Sequence, residues 1–425
     1  MGTKNEPFSK VKTFGCRLNA FESKVIEDNL PKGNENSRIV FNSCAVTSEA
    51  ERQVRQAIRK ARKTNPDAEI IVTGCAAQIN PDMFGNMPEV DRVLGNEEKL
   101  NPNIWRGPDT RILVNDIMNV SETAPQLVSG FNGRFRAFAQ IQQGCDHRCT
   151  FCIIPFGRGN SRSVAIGEII NQAKTLVVNG YRELVLTGVD ITSYGSDLPG
   201  RPRLGNMIKR LLANVEGLER LRLSSVDPSE IDKDLLKLIE NEPRLMPHLH
   251  LSVQAGDDLI LKRMKRRHLR KDVVELATLL KTIRPDIVLG ADFIAGFPTE
   301  SDEMFKRSLD LIFEANLMHL HVFPYSSRAG TPAAKMPQVP LSIRKKRAER
   351  LRNAGDKIMN KFLTSRIGFI ENILIEKNNT GYTEHFVPMA IDGENKPGSI
   401  VNAMVTSVQN RKLSGSVISE RSPGN

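Results

Sequence analysis

Cys145, Cys149 and Cys152 form a C-x3-C-x2-C run, Cys145-Asp-His-Arg-Cys149-Thr-Phe-Cys152, directly after the strand-like stretch Phe135 to Gln142. This spacing offers one metal cluster three thiolates from a single tight loop and no fourth. Iron–sulfur clusters are normally held by four Cys thiolates. Three ligands therefore leave one iron with an open position at which a small molecule can chelate. A structural zinc site with His147 as fourth ligand uses the same residues. Such zinc loops usually pair one C-x2-4-C with a second, distant pair, and no second pair follows here.

The other three cysteines sit at equivalent places in a repeated unit of apolar strand, Cys, then helix. Val11-Lys-Thr-Phe-Gly-Cys16 precedes a helical stretch from Asn19 to Asn29, and Arg38-Ile-Val-Phe-Asn-Ser-Cys44 precedes one from Ser48 to Thr64. Glu69-Ile-Ile-Val-Thr-Gly-Cys75 precedes another helical run. Strand–helix alternation argues for a parallel sheet, and open α/β sheets gather ligands beyond the carboxyl ends of their strands. Cys16, Cys44 and Cys75, 28 and 31 residues apart, would meet at one sheet edge as a second three-Cys cluster. The alternative is three unrelated buried thiols, since free Cys packs well as a small hydrophobe.

The 425 residues are 40% hydrophobic and 26% charged, an ordinary globular composition with room for two or three domains. No apolar run approaches the roughly 18 residues that span a bilayer, and Met1-Gly-Thr-Lys-Asn-Glu-Pro7 lacks the apolar core of a secretory signal. A cytoplasmic location is expected, where cysteines serve as reduced ligands or catalysts rather than disulfides. The net charge of +11 is uneven. Residues 1–128 and 366–425 are each neutral, whereas 129–365 hold 37 Lys/Arg against 26 Asp/Glu. Two runs dominate that excess, Lys262-Arg-Met-Lys-Arg-Arg-His-Leu-Arg-Lys271 and Arg344-Lys-Lys-Arg-Ala-Glu-Arg-Leu-Arg352. They read as solvated helix faces or as phosphate contacts.

Residues 131 to about 330 alternate strand candidates (Phe135–Gln142, Glu183–Asp190, Arg220–Ser225, His248–Gln254, Ile287–Phe297, His319–Tyr325) with helical stretches such as Gly167–Asn179, Ser229–Glu240, Lys271–Ile283 and Ser301–Asn316. Six units are too few for an eight-stranded barrel. Gly188, Asp190, Ser224, Ser225, Asp227, Gln254, Asp292, Gly296 and Tyr325 stand at the strand ends, where they bind ligands as a set or cap loops singly. A Lys/Arg-rich helix, Ser342 to Thr364, leads to the last segment. There, Phe369–Ile375, Phe386–Ala390, Ser399–Val408 and Leu413–Ile418 alternate between Gly, Asn and Pro clusters, the pattern of a small antiparallel β-barrel.

The C-x3-C-x2-C run resembles the defining motif of radical S-adenosylmethionine (SAM) enzymes. Gly144-Cys145, Cys149-Thr-Phe-Cys-Ile-Ile-Pro155, Arg158-Gly159, Ser161-Arg-Ser163, Asn42-Ser-Cys-Ala-Val-Thr47 and Thr73-Gly-Cys75 resemble the methylthiotransferase branch in particular. The resemblance covers about residues 8–420. It implies an α/β protein of three domains: an N-terminal open parallel α/β methylthiotransferase domain (8–128), a central partial (β/α)6 radical SAM barrel (131–364), and a C-terminal TRAM-like barrel (366–422). It implies two [4Fe–4S] clusters, an auxiliary one on Cys16, Cys44 and Cys75 and a SAM-binding one on Cys145, Cys149 and Cys152. Gly188, Asp190, Ser225 and Gln254 become expected SAM contacts, although Asp190 stands where many relatives carry Glu. Arg158 and Arg162 are expected to hold substrate RNA or SAM, because guanidinium forks suit phosphate and carboxylate; a surface salt bridge is the competing role.

The implied reaction converts an adenine C–H to C–S–CH3, with one SAM giving the methyl group and a second the hydrogen-abstracting radical. An external electron donor is required. Asn42-Ser-Cys-Ala-Val-Thr-Ser-Glu-Ala50, Leu186-Thr-Gly-Val-Asp190 and His321-Val-Phe-Pro-Tyr-Ser326 look most like the branch acting on N6-threonylcarbamoyladenosine in the tRNA anticodon stem-loop. Sister branches act on isopentenyladenosine in tRNA and on an aspartate of a small-subunit ribosomal protein. Outside the class, a zinc-stabilised RNA-binding protein and a two-cluster electron carrier are the alternatives. Two three-Cys sites argue against the carrier, because ferredoxin-type sites are closed by four.

Overall fold

The computed structural model describes residues 7–31, 37–107, 110–121, 128, 130–131 and 135–420. The expected domain boundary near 128–131 therefore lies partly outside the described residues, as do residues 421 and 422 of the expected last domain. Two compact units make up the chain. The first comprises Met1–Val128, Gln142–Val164 and Ser326–Pro332; the second comprises Ser129–Ile141, Ala165–Tyr325 and Ala333–Asn425. The cysteine loop expected in the central domain thus packs with the N-terminal residues.

The first unit follows the strand–Cys–helix repeat. Strand β1 (Ser9–Thr13) leads to helix α1 (Arg17–Asn29), β2 (Arg38–Ser43) to α2 (Ser48–Thr64), and β3 (Glu69–Gly74) to α3 (Cys75–Ile79) and α4 (Pro81–Gly85). β4 (Arg92–Leu94) and β5 (Ile112–Leu113) complete a five-stranded, all-parallel sheet in sequential order. Ile39, Phe41, Ile70 and Val72 pack on one face with Val54, Ile58 and Ala61 of α2, while Val40 and Ile71 pack on the other with Ile26 and Trp105. Burial on both faces is what continuous β-branched runs between helices produce. The chain then gives β6 (Arg136–Gln140) to the second unit and contributes β7 (Gln142–Gln143), α5 (Ile154–Arg158) and β8 (Arg162–Ser163) to the first.

The second unit contains α6 (Ile166–Val178), β9 (Glu183–Thr187), α7 (Leu204–Asn214), β10 (Arg220–Leu223), α8 (Lys233–Asn241), β11 (His248–Gln254), α9 (Asp258–Met264), α10 (Arg270–Ile283), β12 (Val288–Ala295), α11 (Asp302–Glu314) and β13 (Leu317–Pro324). β6, β9 and β10 form one parallel sheet, and β11, β12 and β13 another. Parallel bridges Leu221–Leu245 and Val226–Leu251 join them. Six parallel strands with helical crossovers give the partial barrel. Helix α12 (Leu341–Ser365) leads to β14 (Ile370–Ile375), β15 (Thr380–Thr383), β16 (Pro388–Ile391), β17 (Ile400–Gln409) and β18 (Lys412–Glu420), which close a five-stranded barrel. Its pairs are antiparallel except β16 with β18, which run parallel. Met359 and Leu363 of α12 enter its core beside Ile373, Val387 and Leu413.

An ionic seam ties this barrel to the start of β9 and β10. Arg222 bonds Glu183 at 3.0 and 3.3 Å and donates to the Glu384 and Thr383 carbonyls, while Arg220 donates to the Tyr382 carbonyl and Asn372. Arg136 stacks over Tyr382 and Phe386.

Candidate iron–sulfur and SAM sites

Parallel register brings the first three cysteines together. Thr13 pairs with Asn42, Asn42 with Thr73, and Ser43 with Gly74, so all three strands end at one level. Cys16 is the N-cap of α1, Cys44 follows β2, and Cys75 opens α3. Gly15 takes φ +94°, and a Cβ there would lie 2.7 Å from the Cys44 sulfur, so only glycine admits this approach. Burial pushes the Cys44 thiol up to about 12, and the charges of Cys75 and Cys16 push it the same way. A thiolate at Cys44 would therefore need a nearby positive charge, such as a cluster iron.

Beneath them lies a buried polar network that the sequence reading did not find. Glu22 and Lys99 are fully buried and Arg158 is 1% exposed. Glu22 accepts from both Arg158 Nη atoms and from Lys99 Nζ at 2.7 Å. Arg158 also donates to Asn19 Oδ1, to Gln143 Oε1 at 2.9 Å and, through Nε, to Cys75 Sγ at 3.1 Å. Lys99 continues to Asn96 Oδ1 and Asn42 Oδ1, and Asn96 Nδ2 reaches Gly157 O. Arg158 opposes the desolvation of Glu22 most strongly, followed by Lys99; together they hold its carboxyl at about 2. Asn19 and Glu22 stand three apart on α1, the one local sign of this polar face. Arg158 and Lys99 join from 136 and 77 residues away.

The second cysteine set lies in the same unit. Its loop springs from the β7–β8 ribbon, with Gln142 opposite Ser163 and Gln143 opposite Arg162. Gly144 takes φ +71°, and a Cβ there would meet the Asn160 carbonyl oxygen at 1.8 Å. Gln142 Nε2 donates to the Gly144 carbonyl at 2.8 Å, the Cys145 amide to the Gly159 carbonyl at 3.1 Å, and the Cys152 amide to the Cys149 carbonyl at 3.0 Å. Arg148 clasps the Cys145 carbonyl and Asn160 Oδ1. Cys145, Cys149 and Cys152 remain half-buried. Backbone and side-chain bonds shape the loop, and its three thiols are a soft donor set of the kind that fits an iron–sulfur cluster with one open iron.

Arg158 and Arg162 were expected to reach RNA or SAM, and the structure places both inside the first unit. Arg162, 2% exposed, donates to the carbonyls of Asn160, Arg158 and Val120. Both guanidinium groups are buried and bonded to groups of the protein itself.

In the second unit, Gly188, Asp190, Ser225 and Gln254 follow or end β9, β10 and β11 at the carboxyl edge. Asp190 accepts from Thr192 Oγ1 at 2.9 Å and Ser193 Oγ at 2.6 Å. Gln254 sits at a β-bulge with φ +71°, a left-handed strain that clusters at ligand sites. Asp227 anchors Arg266 at 2.7 Å, and Arg267 bonds Glu230 at 2.8 Å. Across three neighbouring strands, His250 Nε2 and His321 Nδ1 lie 3.0 and 3.1 Å from Asp292 Oδ1.

The fold and the cysteine loop define a radical SAM enzyme. A family model for the radical SAM superfamily matches residues 140–312, and one for uncharacterized protein family UPF0004 matches 9–95. Among solved structures, the radical S-adenosylmethionine methyltransferase TsrM from Kitasatospora setae aligns with a TM-score of 0.53 at 14% identity over 77% of each chain, a likeness of fold. Among curated relatives, threonylcarbamoyladenosine tRNA methylthiotransferase MtaB of Rickettsia prowazekii is 55% identical over 96% of both chains. MtaB of Aquifex aeolicus is 35% identical over 92% of this chain and 98% of its own. The tRNA-2-methylthio-N(6)-dimethylallyladenosine synthase of Desulfotalea psychrophila is 31% identical over 96% and 98%. The chain belongs to the radical SAM methylthiotransferase family and uses a [4Fe–4S] cluster and SAM. No helix among the described residues is long and apolar enough to cross a membrane.

Proposed function

We propose that this enzyme methylthiolates tRNA, converting N6-threonylcarbamoyladenosine beside the anticodon to its 2-methylthio derivative in the cytoplasm. One observation carries the reading: two separate three-thiol sets lie within a single compact unit of a chain 55% identical to a methylthiotransferase of that name. Cys145, Cys149 and Cys152 hold the SAM-binding cluster, and Cys16, Cys44 and Cys75 an auxiliary cluster that carries or delivers sulfur. Once bound, the first cluster, with SAM and an external electron donor, supplies the radical that removes an aromatic hydrogen no acid or base could take.

The protein's own residues bind and orient. Gly144 lets the loop turn tightly against the Asn160 carbonyl, and Gln142 and Arg148 hold that turn by its carbonyls. Gly188 offers a strand end without a side chain to the SAM amino group, while Ser225 and Gln254 present hydrogen-bonding groups to its ribose. Asp190 orients Thr192 and Ser193 at the same edge. The expected segments 8–128, 131–364 and 366–422 would serve as the auxiliary-cluster domain, the radical SAM barrel and a TRAM-like RNA-docking module.

Mass spectrometry of nucleosides from tRNA of cells with and without the gene tests the proposal. Selective loss of methylthiolated threonylcarbamoyladenosine is the expected result. Loss of the isopentenyl counterpart instead overturns the substrate assignment while keeping the class.

A further inference from the structure

We propose that Arg158 is a positioning residue for the auxiliary cluster, its buried guanidinium donating Nε–H to the Cys75 thiolate and supplying positive charge that the ligated thiolates need. The inference rests on the auxiliary-cluster reading above.

The buried geometry around Arg158 carries it. Within hydrogen-bonding distance of one another, the network under the thiols holds two cations, Arg158 and Lys99, and one carboxylate, Glu22. All three are essentially excluded from water. The remaining partners, Asn19, Asn42, Asn96 and Gln143, are neutral amides. Arg158 Nε, pointing away from Glu22, lies 3.1 Å from Cys75 Sγ. Arg158 thus places a buried guanidinium N–H in hydrogen-bond reach of the Cys75 sulfur, and a cysteine that ligates a metal does so as a thiolate.

The same contact is rigid. Arg158 ends α5, which packs on α3, the helix that Cys75 begins. Asn96 braces the joint by bonding Gly157 O and lying 3.8 Å from Cys75 Sγ. Only five residues separate Arg158 from Cys152, so one short helix ties the SAM-cluster loop to a ligand of the auxiliary cluster. Hydrogen bonds and charges at ligand sulfurs set cluster potentials. A cation there favours the more negative, reduced state and raises the potential.

The test uses the full chain carrying C145A, C149A and C152A, so that the auxiliary site alone can hold iron after anaerobic reconstitution. Iron and sulfide content, EPR spectra and the midpoint potential are compared with Arg158 intact, R158K and R158Q. A cluster in all three is expected, with the midpoint lowest in R158Q, intermediate in R158K and the EPR spectrum altered in step. An unchanged midpoint and spectrum in R158Q overturns the proposal and leaves the auxiliary cluster standing. Absence of any cluster with Arg158 intact overturns the auxiliary-cluster reading itself. If circular dichroism shows R158Q unfolded, R158K decides, because it keeps charge but lacks the Nε donor; an unchanged midpoint there overturns the proposal.

Discussion

Replacing Glu183 by Gln should open the seam between the partial barrel and the C-terminal barrel. Glu183 and Arg222 are both fully buried and Arg220 is 1% exposed. Glu183 faces Arg222 at 3.0 Å and Arg220 at 3.7 Å. The substitution keeps the volume and leaves two guanidinium groups without their carboxylate. Breaking a buried pair from one side costs about 3–5 kcal/mol, and each ~1.4 kcal/mol is tenfold in an opening equilibrium. Amide exchange read by mass spectrometry in β10 and β15 should accelerate by a hundredfold or more. A pH series checks the sign. Burial works against charging Glu183, but Arg222 and then Arg220 overcome it and hold the carboxyl at about 2 against the usual 4.5. A depressed carboxyl stabilises the fold above its unfolded value and loses that contribution as pH falls towards the folded one. Wild-type protection in β10 should therefore fall between about pH 4.5 and pH 2, while E183Q shows no such loss from this site. Exchange within threefold of wild type at pH 7 would refute the reasoning.

Gly144→Ala should abolish the iron of the SAM cluster while far-UV circular dichroism stays native, because the added methyl meets the Asn160 carbonyl and the backbone is left-handed; full iron content would contradict this. Cys44→Ser should remove the auxiliary cluster's iron and sulfide and leave the SAM-cluster EPR signal, as measured after anaerobic reconstitution. Arg267→Glu, at a side chain 42% exposed, should weaken tRNA binding and flatten its salt dependence in filter-binding assays. Arg266→Glu, 8% exposed against Asp227, should instead lower thermal stability by about 3 kcal/mol or more, because it puts like charges in a buried pair.

The local patterns were legible in the chain. Helix α2 spans Ser48–Thr64 as its periodicity indicates, and the three strand–Cys repeats fall at one sheet edge. Apolar period and turn chemistry act over a few residues, so sequence displays them directly. Other elements were not named from the chain: the eleven-residue α7, α9 and the four-residue β15. The basic run 262–271 looked like one face. In the structure Lys265, at φ +60°, ends α9, and Arg270 starts α10.

Residue type and spacing alone determined that this chain carries two sets of three thiols, one in a loop and one spread over a parallel sheet. Those facts are short-range, written in spacing. Tertiary structure decided what surrounds the thiols. Arg158 looked like a substrate contact because a guanidinium near a cluster suits an anion, yet its partners are the Glu22 carboxylate and the Cys75 sulfur, brought from 136 and 83 residues away. Arg266, from a run that looked solvated, is buried on Asp227. Charge pairing inside a protein is set by which strands and helices pack together, and no pattern along the chain records that choice.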